Sequence, residues 1–315
     1  MVACLQEQGD STSVDIEKLR VTSLMTAARE GNVRRLRKLI KEGVDLNAVD
    51  PDRSQRGQSA LIHATTQKHF TAVELLLKAG ADPNQREKLG NREDESPLHY
   101  AAAWKDSRFI KILLDSGADP NLMNKEQNTP LVNAAEQGNP ETVELLLRAG
   151  ASPVLPERET GDQPLWVALR SGHTEVAHLL LDAGHPLDSK VLVTAALHGQ
   201  PSIVRRALEA GIDPDSKVIF EESDDDRCGL GSDRNLGENE SDKELQEPVN
   251  YRTPLIAVAE INAEIKGSAP GFVEVVDDEF DGSCQEMDSS QWQKRVVQSQ
   301  LEIIRMLLDA GADPN

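Results

Sequence analysis

Three histidines, His173, His178 and His185, and one carboxylate run are the residues whose types and spacing could do chemistry in this chain. The run reads Asp277-Asp278-Glu279-Phe280-Asp281-Gly282 and ends at Asp288. It puts acids at positions 1, 3, 5 and 12 with glycine at 6, in the manner of a calcium loop. Glu279 at position 3, Asp288 at position 12, and Pro270-Gly271 where a helix should enter all spoil that match. The histidines would suit a divalent metal, but His173 and His178 lie five positions apart and share no helical face. No glycine-rich phosphate loop, nucleophile elbow, HExxH or kinase signature occurs. Acidic pairs abound, yet they fall in segments too poor in apolar residues to hold catalytic geometry. The residues thus predict no catalytic group, no metal site and no cofactor, and the chain reads as a binding protein rather than an enzyme.

Composition narrows the partners. Against 34 Lys and Arg stand 54 Asp and Glu, a net charge of −20 over 315 residues. Such a balance repels phosphate backbones, so no nucleic-acid partner is expected. Aromatic residues make up only 3% of the chain, too few for base-stacking platforms. Cys4, Cys228 and Cys284 are far apart and build neither a disulfide framework nor a zinc site. A reducing compartment follows as the expectation, cytoplasmic or nuclear. The N-terminal residues lack a basic start followed by an apolar run, so no secretory signal is read. No apolar stretch approaches the roughly 20 residues that cross a bilayer, and no membrane insertion is expected.

The elements that would carry a binding surface announce themselves by repetition. One phrase reads Leu75-Leu76-Leu77-Lys78-Ala79-Gly80-Ala81-Asp82-Pro83-Asn84. It returns at 113–121 and 307–315, with weaker copies ending at Gly43, Gly150, Gly184 and Gly211. Spacings of 37, 33 and 34 residues separate Gly80, Gly117, Gly150 and Gly184. A second phrase precedes each copy: Ser96-Pro97-Leu98-His99-Tyr100-Ala101-Ala102, then Thr129-Pro130-Leu131, Gln163-Pro164-Leu165 and Thr253-Pro254-Leu255. Divergent forms begin at Thr22, Ser59 and Lys190. Ser96 or Thr129 is placed to cap a helix, with proline where its missing N–H costs nothing. Leu131 and Ala134 then share a face, and the alanines let neighbouring helices come close. Gly150 supplies the left-handed residue that ends the second helix, and the proline after Gly-Ala-Asp forces an extended turn. Each unit is too small to bury its own apolar face, so units must stack.

This pattern resembles the ankyrin repeat, with its Thr-Pro-Leu-His phrase and period of about 33 residues. The resemblance spans roughly residues 22–315 and counts about seven units. It implies an all-α solenoid of paired antiparallel helices with short β-hairpin fingers, and a monomeric protein-interaction scaffold or adaptor. An alternative implication is the regulatory or targeting part of a larger enzyme or channel, with more chain after Asn315. In the family, partners meet the finger tips and the exposed ends of the first helices. Carried over, that nominates Arg29 and Glu30, Thr66 and Gln67, Ala103 and Trp104, Glu136 and Gln137, Arg170 and Ser171, and Leu197 and His198. At finger tips it nominates Asp52, Arg53 and Arg56, and Lys125, Glu126 and Asn128. Trp104 is either an interface anchor or a side chain folded onto its neighbours; Trp166 is expected to be half-buried packing. The resemblance further nominates Asn84 and Asn121 as candidates for asparaginyl hydroxylation.

Departures from the pattern individualise the chain. Residues 1–20 are expected to be a flexible leader, 21–214 units one to six, and 251–315 a seventh unit. The links Asn47 to Ser59 and Asn84 to Ser96 are each 12 residues, against 8 from Asn121 to Thr129, so two fingers are lengthened. The sixth unit, beginning at Lys190, is expected to have no finger. Residues 215–250 form an acidic insert, with a net charge of −8 between Asp215 and Glu247, expected not to fold alone. A second acidic insert splits the seventh unit at about 264–298. Arg34, Arg35, Arg37, Lys38 and Lys41 make one helix strongly basic, read as a polar cap or as a dock for an acidic ligand.

Overall fold

The computed structural model describes residues 9–50, 52, 57–87, 94–104, 106–155, 163–219, 251–258 and 289–314. The calcium-like run, Arg53 and Arg56 lie outside them. The chain divides into two compact units, Met1–Gly161 and Asp162–Asn315.

The first unit is a stack of four helix pairs. These are α1 (Gly9–Arg29) with α2 (Val33–Lys41), α3 (Ala60–Thr66) with α4 (Phe70–Lys78), α5 (Pro97–Ala102) with α6 (Ser107–Asp115), and α7 (Pro130–Gln137) with α8 (Pro140–Arg148). Helix α1 packs on α3, α3 on α5 and α5 on α7, while α2, α4, α6 and α8 form the second layer. The core lies between the layers, where Leu24, Leu61, Leu98 and Leu131 sit at equivalent places, each no more than 1% exposed. Ala27, Ala64, Ala101 and Ala134 are also fully buried, and it is their small size that lets the first helices touch. Burying each of those leucines contributes roughly 1.5–3 kcal/mol, and only the stack supplies a surface to bury it against.

The second unit pairs α9 (Pro164–Arg170) with α10 (Thr174–Asp182), and α11 (Ser189–Leu197) with α12 (Pro201–Glu209). A short ribbon follows, β1 (Val218–Ile219) antiparallel to β2 (Tyr251–Arg252), with Val218 opposite Arg252. Residues 254–258 are helical, and α13 (Ser289–Asp309) packs on α12. The architecture is the all-α solenoid of paired helices, carried by each unit in its own stack.

Local chemistry explains the helix ends, with one surprise. Pro97, Pro130 and Pro164 open α5, α7 and α9 as expected. Thr129 makes no side-chain cap: its Oγ1 is buried without a partner. The N–H of Val132 that it would have accepted is taken by the Thr129 carbonyl at 3.0 Å. Gly150 has φ +91, with Ala151 N–H closing onto the Leu146 carbonyl at 2.9 Å.

Three segment boundaries differ from expectation. Helix α1 begins at Gly9, inside the leader expected over 1–20. Helix α13 begins at Ser289, so the end of the second acidic insert is helical; from Ser289 to Asp309 there is neither glycine nor proline to stop it. Ser216 to Ile219, assigned by sequence to the first insert, belong to a finger, since Val218 is buried against Val193, Leu197 and Ala257. Leu197 is therefore 2% exposed and does not face outward as the carry-over implies.

Candidate functional site

The nominated surface is built on the ends of four parallel first helices. Arg29 and Glu30 at the end of α1, Gln67 after α3, and Glu136 and Gln137 at the end of α7 are all exposed. Thr66 is half-buried, its hydroxyl donating to the His63 carbonyl at 3.0 Å. Ala103 and Trp104 after α5 are half-buried as well. Because α1, α3, α5 and α7 pack side by side, these residues form a row within the first unit.

Trp104 sits in that row folded onto its neighbours. Its ring meets Phe109 edge-on at 5.4 Å, and Phe109 meets Phe70 in the same way at 5.4 Å. The Lys68 ammonium lies 5.0 Å from the centre of the Trp104 ring, so a cation from the preceding helix pair covers the indole. Trp166 is half-buried against His185 at 5.6 Å, as expected, with the Lys190 ammonium over its ring.

The fingers are anchored by buried polar contacts that repeat with the chain. Asp50, Glu87 and Asn124 each stand three residues after a phrase-ending asparagine, and each is buried. His63 Nε2 lies 2.9 Å from Asp50 Oδ2, both side chains almost fully enclosed. Burial lowers the His63 pKa, and the Asp50 carboxylate opposes that shift. Glu87 accepts from Gln58 Nε2 at 2.5 Å and from the Tyr100 hydroxyl. Backbone bonds close the fingers above these groups: Asp50 N–H to Gln58 O at 2.9 Å, Glu87 N–H to Glu95 O at 3.2 Å, and Asn124 N–H to Asn128 O at 2.9 Å. Sequence reasoning missed this network. Its signal was available in the polar residue that recurs at a fixed offset from Asn47, Asn84 and Asn121.

His99 joins two successive repeats of the first unit. Its Nδ1 accepts the Ser96 N–H at 3.3 Å and lies 2.8 Å from Ser96 Oγ, while its Nε2–H donates to the Asn128 carbonyl at 3.1 Å. Burial pushes its pKa down to about 4. Asn128, nominated as a finger-tip residue, thus sits at the finger base, half-buried with its backbone committed. The tip itself is Lys125 and Glu126, both exposed, with Gln127 at φ +65.

Asn84 and Asn121 are occupied in joining successive turns. Asn84 Oδ1 accepts the Asp119 N–H at 2.7 Å and its Nδ2 donates to the Gly117 carbonyl at 3.0 Å. Asn121 does the same to Ser152 N–H at 2.8 Å and Gly150 O at 2.9 Å.

In the second unit Arg170 is half-buried at the end of α9. His198 is also partly enclosed; burial first, and the nearby Arg170 charge second, hold it at about 4. The three histidines that invited a metal are spread apart. His173 is buried at the start of α10, His178 contacts Ser202 Oγ at 3.1 Å, and His185 Nδ1 donates to the Pro186 carbonyl at 2.9 Å. Among the described residues no three His, Cys, Asp or Glu side chains gather as metal ligands. Nor, among them, is any helix long and apolar enough to cross a membrane.

No curated protein matches the chain. The family described as ankyrin repeats (3 copies) matches it over residues 1–87, 24–124 and 98–191. The matches cover the helix pairs and fingers from which the row, the buried finger bases and the asparagine bridges are built. By these matches and by its stacked helix pairs, the chain belongs to the ankyrin-repeat family, whose members are generally protein–protein interaction modules.

Proposed function

We propose that this chain is a monomeric protein-binding scaffold or adaptor that holds one partner along the first-helix row and the fingers of its first unit. The residues taken to meet the partner are Arg29, Glu30, Gln67, Glu136 and Gln137, with Lys125 and Glu126 at a finger tip and Trp104 at the centre. The observation that carries this reading is the support beneath the row. Exposed side chains of both signs stand at the ends of packed helices, beside fingers tied by buried groups such as Asp50–His63 and Glu87–Tyr100. Rigid presentation limits the entropy lost on binding, which is what a specific interface requires. The number and wide spacing of Cys4, Cys228 and Cys284 in the sequence favour work in the cytoplasm or nucleus.

Photo-crosslinking tests it. A benzophenone amino acid is placed in the full chain at Gln67 or Gln137, and at Ser116 or Lys78 on the second-helix layer as controls, and captured proteins are identified by mass spectrometry. A partner captured from both row positions and not from the controls supports the proposal. Equal capture from the controls, or none from the row, overturns it.

A further inference from the structure

Helix α2 reads Val-Arg-Arg-Leu-Arg-Lys-Leu-Ile-Lys and contains no acid. Leu36 and Leu39 are its buried anchors. On the other side Arg34, Arg37, Lys38 and Lys41 are exposed and, with Val33, line one open groove of about 550 Å³. Their spacing of three, four and seven residues sets the charges in a row about 10 Å long.

Helices elsewhere in the chain treat their cations differently. Lys78 pairs with Glu74 and Arg148 with Glu144, each at 2.6 Å along its own helix. Arg205 pairs with Glu302 and Arg206 with Asp182, each at 2.7 Å. Along α2, Lys38 has Glu42 at 3.7 Å. Among the described residues no carboxylate lies within ion-pair reach of Arg34, Arg37 or Lys41. Solubility at a solenoid end needs polar side chains of either sign. It does not explain an all-cationic row in a chain of net charge −20.

We infer that the α2 groove is a second docking surface, distinct from the first-helix row, and that it receives an acidic peptide segment of a protein partner. Two features favour a peptide over a lipid surface or a nucleic acid. A polyanion spreads its charge over a broad front and meets the repulsion of the acidic remainder of the chain. A short segment feels only the patch, since charges beyond about 8 Å are screened at physiological ionic strength. The open face also has an apolar component, Val33 and the methylene stems of its lysines, against which apolar side chains of a peptide can pack.

The full chain is titrated, by fluorescence anisotropy, with a labelled short peptide of alternating Glu and Leu and with its Gln-for-Glu counterpart. Phosphatidylserine vesicles form the third arm, read by sedimentation. The acidic peptide is expected to bind and the neutral one not. Arg34→Glu with Arg37→Glu and Lys41→Glu should weaken binding at least about tenfold, whereas Arg34→Lys with Arg37→Lys should hold it within about threefold. A thermal melt checks folding, and Arg34→Gln with Arg37→Gln serves if the reversal unfolds the chain. Equal binding of the neutral peptide, no loss in the folded charge variants, or binding of vesicles in place of the acidic peptide would overturn the inference.

Discussion

The carboxamide of Asn84 holds the backbone of Asp119, a residue of the next repeat in the first unit, at 2.7 Å. Asn47 holds Asp82 N–H at 2.8 Å in the same way, and Asn121 holds Ser152. In the second unit Asp215 takes the place of the asparagine and accepts Asp313 N–H at 2.9 Å. Where the phrase ends on Val154 there is no side-chain hydrogen-bonding group at all, and the division between the two compact units falls shortly after it.

Asn84→Ala removes an acceptor and a donor that join consecutive turns. It should lower unfolding free energy by about 1–2 kcal/mol, measured by urea denaturation. Asn84→Asp keeps the acceptor, as Asp215 does, and should lose about half as much. An unchanged midpoint for Asn84→Ala would show that water replaces both bonds without loss.

His99 makes stability depend on pH. Its pKa is lowered to about 4 in the fold, against an ordinary value near 6.5. Its neutral ring contributes fully above pH about 6.5; the contribution is lost as pH falls towards about 4, because only the unfolded chain takes up the proton. The loss attributable to His99 is at most about 3 kcal/mol. His63, His178, His185 and His198 are shifted in the same direction, so the difference between wild type and His99→Gln isolates this residue. Urea titrations at pH 7.5 and pH about 4.5 should show a smaller drop for the variant. Equal drops would remove His99 from the account.

Gly31 is needed for two separable reasons. Its φ is +64, and an added Cβ would stand 2.6 Å from the His69 ring, whose Nε2 bonds the Arg29 carbonyl at 3.0 Å. Gly31→Ala should therefore cost about 2–3 kcal/mol, of which roughly 1 kcal/mol is the left-handed backbone. In a His69→Ala background only the backbone part should remain. Equal costs in the two backgrounds would contradict the clash.

Trp104 is held between Phe109 and Lys68. With Trp166 and Trp292 replaced by Phe, its emission should be blue-shifted from that of free indole and only partly quenched by acrylamide. Trp104→Ala should cost about 2–4 kcal/mol, roughly 1 kcal/mol of it through the lost edge contact and the rest through its buried area. Full quenching would show that Lys68 does not cover the ring.

Much of the fold was legible in the sequence because its determinants are local. Pro97, Leu98, Ala101 and Gly117 declare a helix, its buried face and the end of the helix that follows within one period, and repetition multiplies that signal. The exposure of Glu30, Gln67 and Glu136 at the ends of the first helices was legible too, since it is set by position in the phrase. Leu197 was misplaced because its burial comes from Val218, which lies across a connection that no periodicity marks. Thr129 was misread as a cap because its own carbonyl competes for the same N–H.

By itself, then, the sequence determined that helix pairs stack and which of their faces are buried, since period and apolar spacing are properties of contiguous residues. Only the tertiary structure decided what ties the fingers down and joins one repeat to the next within the first unit: Asp50 beneath His63, Asn128 accepting from His99, Asn84 holding Asp119. Each of those bonds pairs residues 13 to 35 positions apart. Their formation depends on packing having already set the backbones at hydrogen-bonding distance, and no short run of residue types encodes that distance.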